Sequence, residues 1–436
     1  MKPINVGLLG IGTVGSGTFR VLQRNSEEIS RRAGCAIRIT MVADKDVARA
    51  KAIVGDTAQV TADALDVINN PQIDIVVELI GGYTIARELI LKAIASGKHV
   101  VTANKALLAL HGNEIFSAAR ARGVTVTFEA AVGGGIPIIK SLREGLTANR
   151  IEWIAGIING TSNFILSEMR AKGAAFADVL QEAQRMGYAE ADPTFDIEGV
   201  DAAHKLAIMA AIGFGIPVQF SKVHVEGIAK LAQEDIRYAE ELGYRIKLLG
   251  IAKRKPGGFE LRVHPTLIPA RQLIANVEGV MNAILVKGDA VGQTMYYGAG
   301  AGAEPTASAV VADLVDVARM LTADPEHRVP HLAFQPDRLS DVPILPMGEV
   351  ETSYYLRLRV ADKAGVLADI TRILADQGIS IEALMQKEPH AGEEHVDIIL
   401  LTHLTQEKKI DIAIQRIEAL PVVSGNITRI RMESLQ

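Results

Sequence analysis

The stretch from Gly187 to Lys205 reads GYAEADPTFDIEGVDAAHK and places five acids, Glu190, Asp192, Asp196, Glu198 and Asp201, within twelve residues. Asp192-Pro193 and Glu198-Gly199 interrupt any helix, so a loop is expected up to about Val200. Beyond it the pattern turns helical, which sets Asp201 and Lys205 at i and i+4 on one face with His204 beside them. The residues that follow, Leu206 to Ile212, are strongly apolar, so this pair stands near a buried element. A carboxylate and an ammonium half withdrawn from water can couple their pKa values and pass a proton. The same spacing also suits a solvated acidic loop that ends in an ordinary helix ion pair.

A second lysine invites the same question. Thr102-Ala103-Asn104-Lys105 stands at the carboxyl end of an expected strand, where ligands bind in open α/β sheets, although a surface lysine capping a loop gives the same pattern. Glu78-Leu79-Ile80-Gly81-Gly82 ends the preceding strand, and its glycines would let a flat ring lie on the backbone. Glu129-Ala130-Ala131-Val132-Gly133-Gly134-Gly135-Ile136-Pro137 combines one acid with a glycine run. Exposed carbonyls there could hold a hard monovalent cation, or the run could simply be a hinge.

The glycines near the start do a different job. Ile4 to Leu9 reads as a strand and runs into Gly10-Ile11-Gly12-Thr13-Val14-Gly15, after which a helical pattern follows from Ser16. This is G-x-G-x-x-G between a strand and a helix. Gly10 can make the tight turn, Gly12 lets a pyrophosphate approach the backbone, and Gly15 lets the helix pack close, with the helix N-terminus facing the phosphates. The second strand ends Val42-Ala43-Asp44-Lys45. Asp44 suits the ribose hydroxyls of NAD, whereas Lys45 or Arg49 suits the 2′-phosphate of NADP, so dual use with NADP preferred is expected.

These groups need a frame. Residues 1–130 alternate strand and helix signals: strands at Ile37 to Ala43, Asp74 to Leu79, His99 to Thr102 and Val124 to Phe128, and helices at Thr18 to Arg31, Ala86 to Ser96 and Gly112 to Arg122. The series predicts an α/β, Rossmann-type, doubly wound parallel sheet. Residues 131–340 read as a mixed α+β catalytic and dimerisation domain. It carries helices at Ser162 to Lys172, Phe176 to Met186 and Val200 to Ile212, a strand at Phe259 to Val263, and a helix at Thr306 to Met320 expected to return to the first domain. Pro325, Pro330, Pro336, Pro343 and Pro346 mark a linker or extended wrap. Residues 351–436 read βαββαβ, a ferredoxin-like unit: strand Tyr354 to Val360, helix Val366 to Gln377, strands Ile379 to Gln386 and Glu394 to Thr402, helix Gln406 to Leu420 and strand Val422 to Ile430.

Composition narrows the class. The 436 residues exceed one core, and 48% apolar with 22% charged residues is ordinary for a globular chain. A net charge of -5 gives no pull toward nucleic acid or an anionic membrane. The single cysteine, Cys35, cannot form an internal disulfide. No signal peptide or bilayer-spanning run is visible, so a cytoplasmic enzyme is expected.

Together the stretches GLLGIGTVGSG, ELIGG, VVTANKALLA, FEAAVGGGIPII, INGTSNFIL, GYAEADPTFDIEGVDAAHKLAI and GAGAGAEPTASAV resemble homoserine dehydrogenase. With no aspartokinase region before the glycine loop, the monofunctional kind is expected. The C-terminal unit resembles an ACT domain. The resemblance implies reversible oxidation of L-homoserine to L-aspartate 4-semialdehyde with NAD(P), in the formation of threonine, methionine and isoleucine. It makes Lys205 the general acid/base with Asp201 its partner, sets Lys105 between cofactor and substrate, and lines the substrate site with Glu190 and Asp196. It matches Glu129 and the carbonyls of Val132, Gly134 and Ile136 to a sodium (Na+) site. It implies a homodimer or homotetramer, and feedback by an amino acid, L-threonine, received near Asp362 and Gly365. Two other readings remain: a non-catalytic amino-acid sensor, which intact Asp201, Lys205 and Lys105 oppose, and an acylating semialdehyde dehydrogenase, which lacks a suitably placed thiol.

Overall fold

The computed structural model describes residues 2–321, 329–387 and 393–435, so Pro325 of the proline-spaced stretch lies outside the described residues. Two compact units emerge. The first takes residues 1–160, 201–223 and 280–342; the second takes 161–200, 224–279 and 343–436. The middle third of the chain is therefore shared between them rather than forming a body of its own.

In the first unit six strands run parallel: β1 (Ile4–Leu9), β2 (Ile37–Ala43), β3 (Gln59–Thr61), β4 (Ile75–Glu78), β5 (His99–Thr102) and β6 (Val126–Thr127). Their order is β3-β2-β1-β4-β5-β6. The winding reverses between β1 and β4, so the crevice that such sheets use for ligands opens at the carboxyl ends of these two strands. All four residues of β4 are buried, as expected of a strand covered on both faces. The helix Ala303–Met320 packs on the helix Thr13–Arg24, and Gly17 is the point of closest approach: a Cβ there would stand 2.5 Å from the Ala303 carbonyl oxygen.

Several boundaries differ from those expected. The first helix begins at Thr13 and breaks at Asn25 into a second, Ser26–Ala33. The helix expected at Gly112 begins at Lys105, because the Asn104 side chain caps it by accepting the Leu107 N–H at 3.1 Å. The strands Ile151–Ile157, Met281–Gly288 and Gly292–Ala299 form an antiparallel set that the sequence reading did not anticipate. The helix Val200–Phe214 is buried from Asp201 onward, and its own Gly213 lets it lie close on Ile154: a Cβ there would meet the Ile154 side chain at 3.0 Å.

The second unit is built on the hairpin Tyr244–Lys255 and Gly258–Pro269, twelve residues paired with twelve. The C-terminal module follows the expected βαββαβ order. Its strands line up as Thr428–Met432, Glu351–Ala361, His395–Thr402 and Ile381–Gln386, and Thr428–Met432 also pairs in parallel with Gly258–Pro269. The last strand was expected at Val422. It starts at Thr428 instead, since Pro421 and Gly425, at φ +75°, interrupt the chain, and Val422 and Val423 make only isolated contacts with the first strand's end. The module has its own core of Tyr354, Leu356, Ile370, Leu374, Ile398 and Ile410.

Candidate active site

In the first unit the lysines and Asp201 converge. Lys205 Nζ donates to Asp201 Oδ2 at 2.7 Å and to the Ile158 carbonyl at 2.7 Å. Lys105, the first residue of its helix, approaches the other carboxylate oxygen, with Nζ 3.2 Å from Oδ1. Asn159 Nδ2 donates to Oδ2 at 2.9 Å. One buried carboxylate thus organises two ammonium groups and an amide. Burial alone would raise the Asp201 pKa, but the charges of Lys205 and Lys105 and the hydrogen bonds from Lys205 and Asn159 hold it well below the usual carboxylate range. His204, the expected neighbour, is pushed down to about 4, chiefly by burial, and stacks edge-on against Phe220 at 4.3 Å; it is a neutral packing residue here.

Asn159 and the Ile158 carbonyl were not singled out in the sequence. The signals were their place directly before Gly160, where a strand gives way to the helix Gly160–Lys172, and their position at the head of the INGTSNFIL stretch that carries the resemblance.

The glycine loop has the stereochemistry of an anion cradle. Gly10 sits at φ +91°, and a Cβ there would stand 2.8 Å from the Leu79 carbonyl oxygen. Gly12 faces open space, and a Cβ on Gly15 would stand 2.2 Å from the Gly10 carbonyl oxygen, so the loop and helix close tightly. Ile11 N donates to Asp44 Oδ2 at 2.7 Å, while Thr13 and Val14 open the helix. Asp44 therefore braces the loop as well as standing at the end of β2. Lys45 follows it directly in sequence, and the Arg49 guanidinium reaches the Ile11 carbonyl at 3.4 Å, which brings a cation to the ribose end of the loop. Glu78, given no role of its own in the sequence reading, orders the next turn: Oε1 accepts from Ile80 N and Gly81 N, and Oε2 from Thr102 Oγ1 at 2.8 Å.

The turn after β6 tests the cation reading. Both Glu129 oxygens accept backbone N–H groups, from Ile139 and Lys140, and the Ile136 carbonyl accepts from Ile138 N. Burial pushes Glu129 up to about 7 against the opposing pull of those N–H bonds and nearby cations. Asp313, which accepts the Glu129 N–H, is raised well above its ordinary value by burial and by Glu129. Two acids this close would welcome a counter-charge. Among the described residues no group of three or more His, Cys, Asp or Glu side chains could hold a metal, so a cation here would depend on the carbonyls of Val132, Gly134 and Ile136. Carbonyl oxygens are the kind of ligand that suits Na+.

In the second unit, Glu190 and Asp192 are exposed and Asp196 half-buried. The segment is tied through its backbone: Gln184 Nε2 donates to the Glu190 carbonyl at 3.1 Å, and Ser162 Oγ to the Asp196 carbonyl at 3.1 Å. In the C-terminal module, Asp362 N donates to the Glu394 carbonyl at 3.0 Å. Gly365, at φ +94° with open space where a Cβ would be, begins the helix Val366–Asp376.

The likeness to known proteins is extensive. Residues 137–315 match the homoserine dehydrogenase family, residues 10–129 the homoserine dehydrogenase NAD-binding domain, and residues 354–422 the ACT domain. A homoserine dehydrogenase of Pseudomonas aeruginosa is 64% identical over 435 residues and one of Neisseria gonorrhoeae 60%, each covering both chains in full. The crystal structure of a homoserine dehydrogenase from Thiobacillus denitrificans is 70% identical, with a TM-score of 0.96 over 100% of this chain and 99% of its own. A hyperthermophilic archaeal homoserine dehydrogenase in complex with NADPH is 25% identical, with a TM-score of 0.62 over 72% of this chain and 98% of its own.

Proposed function

Since this chain belongs to the homoserine dehydrogenase family and is an oxidoreductase of that kind, we propose that it interconverts L-homoserine and L-aspartate 4-semialdehyde with Lys205 as the general acid/base. The observation that carries this reading is the shared carboxylate: Asp201 holds Lys205 at 2.7 Å and Lys105 at 3.2 Å, in a buried setting. The nicotinamide, when bound, supplies and accepts the hydride.

The chain's own residues do the rest. In the reductive direction the aldehyde oxygen gains negative charge, and a fixed ammonium beside it stabilises that charge and delivers the proton. Lys205 is suited to this because the Ile158 carbonyl and Asp201 both accept from its ammonium and hold it in a fixed place. Asp201 stays ionised throughout the working range, so it orients the ammonium without competing for the proton. Lys105 offers a second positive charge for the substrate carboxylate or for the cofactor.

Glu190 is the acid we assign to the substrate ammonium, with Asp196 beside it in the same segment. Gly10, Ile11, Gly12, Thr13, Val14 and Gly15 take the pyrophosphate, Gly81 and Thr102 flank the ring, and Asp44, Lys45 and Arg49 meet the ribose. The cation next to Asp44 favours NADP while leaving NAD usable. Glu129, Val132, Gly134 and Ile136 would hold Na+ as a structural brace for the turn. The ACT module would receive an amino-acid effector near Asp362 and Gly365, and L-threonine, as an end product of the route, is the effector we assign. Feedback then requires that the effector bind two states of the enzyme unequally.

Initial rates of L-homoserine oxidation with NADP+ and NAD+ in parallel test the assignment. Turnover with both, faster at low NADP+, is expected. Folded protein that binds dinucleotide and turns over neither would return the chain to the sensor reading.

A further inference from the structure

The acid segment is seated by a cradle that belongs to a different stretch of chain. Ile228 N donates to the Ile197 carbonyl at 2.8 Å. Gly227 lies so close beneath that a Cβ on it would stand 2.4 Å from the Ile197 carbonyl oxygen and 2.5 Å from Glu198 Cα. Gly199, at φ +81°, fits against Val263, Val225 and the Glu226 carbonyl, where a Cβ would meet them at 3.1, 3.3 and 3.5 Å. Residues 225–228 thus fix the backbone immediately after Asp196. The cradle is itself attached to the hairpin, for Glu226 N donates to the Val263 carbonyl at 2.8 Å.

The Glu226 side chain points the other way, to the last strand of the C-terminal module. Arg431 grips it with a two-pronged fork: NH1 to Oε2 at 2.8 Å and NH2 to Oε1 at 2.9 Å. The same guanidinium binds Glu407 through Nε at 2.9 Å and through NH2, and Tyr354 donates to that carboxylate at 2.6 Å. Arg431 is 1% exposed. Glu407 begins a helix of the module, and Tyr354 lies in its first strand. Arg431 therefore joins the core of the C-terminal module to the cradle of the acid segment, with Arg429 beside it, 3.7 Å from Glu226 Oε1 and 3.1 Å from Glu407 Oε1. Burial opposes ionisation of Glu226, but hydrogen bonds from His224 and Arg431 overrule it and hold its carboxyl far below the usual range, so the fork stays charged at working pH.

We propose that Arg431 is a positioning residue for the substrate: by clamping Glu226 it sets the cradle that holds Ile197 to Gly199, and with it the place where Asp196 stands. The inference rests on the reading that Asp196 and Glu190 bind substrate. It gives the C-terminal module a direct grip on substrate affinity that does not depend on which effector the module receives. A movement of the strand Thr428–Met432 would be felt at the acid segment, through Glu226.

The test is a steady-state comparison of the full-length enzyme with its variants Arg431→Met, Arg431→Lys, Glu226→Gln and Asp196→Asn. Arg431→Met is expected to raise KM for L-homoserine about tenfold, with kcat and the dinucleotide Kd within twofold of the parent. Arg431→Lys keeps the charge but loses the fork and should fall between. Glu226→Gln should raise KM in the same direction, and a double variant combining Arg431→Met with Glu226→Gln should be no worse than Arg431→Met alone, since both break one link. A merely structural clamp would lower Tm and leave KM where it was. If Arg431→Met does not fold, Glu226→Gln decides, because it retains the side chain's shape. Asp196→Asn separates the two layers of the argument. A raised KM there with an unchanged KM in folded Arg431→Met or Glu226→Gln overturns the inference alone. An unchanged KM in Asp196→Asn overturns the substrate reading and the inference together.

Discussion

Asp201 and Asp196 stand little more than a helical turn apart in the sequence, yet they live under opposite conditions. Asp201 is 4% exposed, each of its oxygens faces an ammonium, and its position is fixed by a helix buried from Asp201 onward. Asp196 is half-buried in a four-residue helix none of whose residues is buried, in a segment held by its backbone. On the roles proposed above, the contrast follows from what each would do. A proton must be transferred at a fixed distance, so the groups that move it are held by burial and by several partners. A substrate must enter and leave, so the groups that recognise it keep contact with water and rely on neighbours for their place.

The strongest way to break the comparison is to remove the buried ammonium. Lys205→Ala should lower kcat about a thousandfold while changing KM for L-homoserine only severalfold. Equal loss in kcat and gain in KM would mean that Lys205 recognises substrate rather than handling its proton, and near-normal kcat would remove it from the role. Asp201→Asn should show the same pattern in milder form, since Asn retains the shape but leaves two lysines without their shared anion.

On the other side of the comparison, Glu190→Gln and Asp196→Asn should act chiefly through KM. A charge-assisted contact to the substrate ammonium is worth roughly ten- to hundredfold in affinity, and kcat should change less. KM for the dinucleotide should not move. A fall in kcat as large as that of Lys205→Ala, with KM untouched, would erase the distinction between the two groups of acids. At the nucleotide loop, Arg49→Ala should raise KM for NADP+ about tenfold and leave NAD+ nearly unchanged. An equal loss with both cofactors would show that Arg49 only braces the Ile11 carbonyl.

How much of this was legible depended on whether the signal was local. G-x-G-x-x-G gives part of its own reasons: the tight turn asks for Gly10 at φ +91°, and Gly15 closes on the Gly10 carbonyl five residues back, whereas the Leu79 carbonyl that crowds Gly10 comes from a distant part of the chain. The i, i+4 pairing of Asp201 with Lys205 was equally local, because helix geometry alone brings them together. What the sequence could not show was that Lys105 would arrive at the same carboxylate from almost a hundred residues away, or that Asn159 and the Ile158 carbonyl would complete the cluster. The same limit hid the strands Ile151–Ile157 and Met281–Gly288, whose pairing joins segments distant along the chain. Nothing near Glu226 or Arg431 in the sequence reveals its partner. The late start of the final strand shows the converse, where Pro421 and Gly425 were local signals that an apolar run outweighed.

The smallest expected effect concerns the acid pair that the mechanism does not use. Glu129 has a folded-state pKa of about 7, above its ordinary 4.5, so the folded protein holds a proton that the unfolded chain has released between those values. Its contribution to stability is therefore greatest below about pH 4.5 and declines as pH rises through 7. A cation bound at the same turn would favour the ionised form and offset that decline. Exchanging choline for Na+ at constant ionic strength should raise Tm by a few degrees at pH 8.5 and by less at pH 6. In Glu129→Gln the difference between the two pH values should shrink markedly, because the proton on this carboxyl no longer competes with the ion and only Asp313 is left to titrate beside it. Scanning calorimetry at the two pH values reads all four conditions. A Na+ effect independent of pH, or one whose pH dependence is undiminished in Glu129→Gln, would detach the cation from this carboxylate and leave the glycine turn a hinge braced by hydrogen bonds alone.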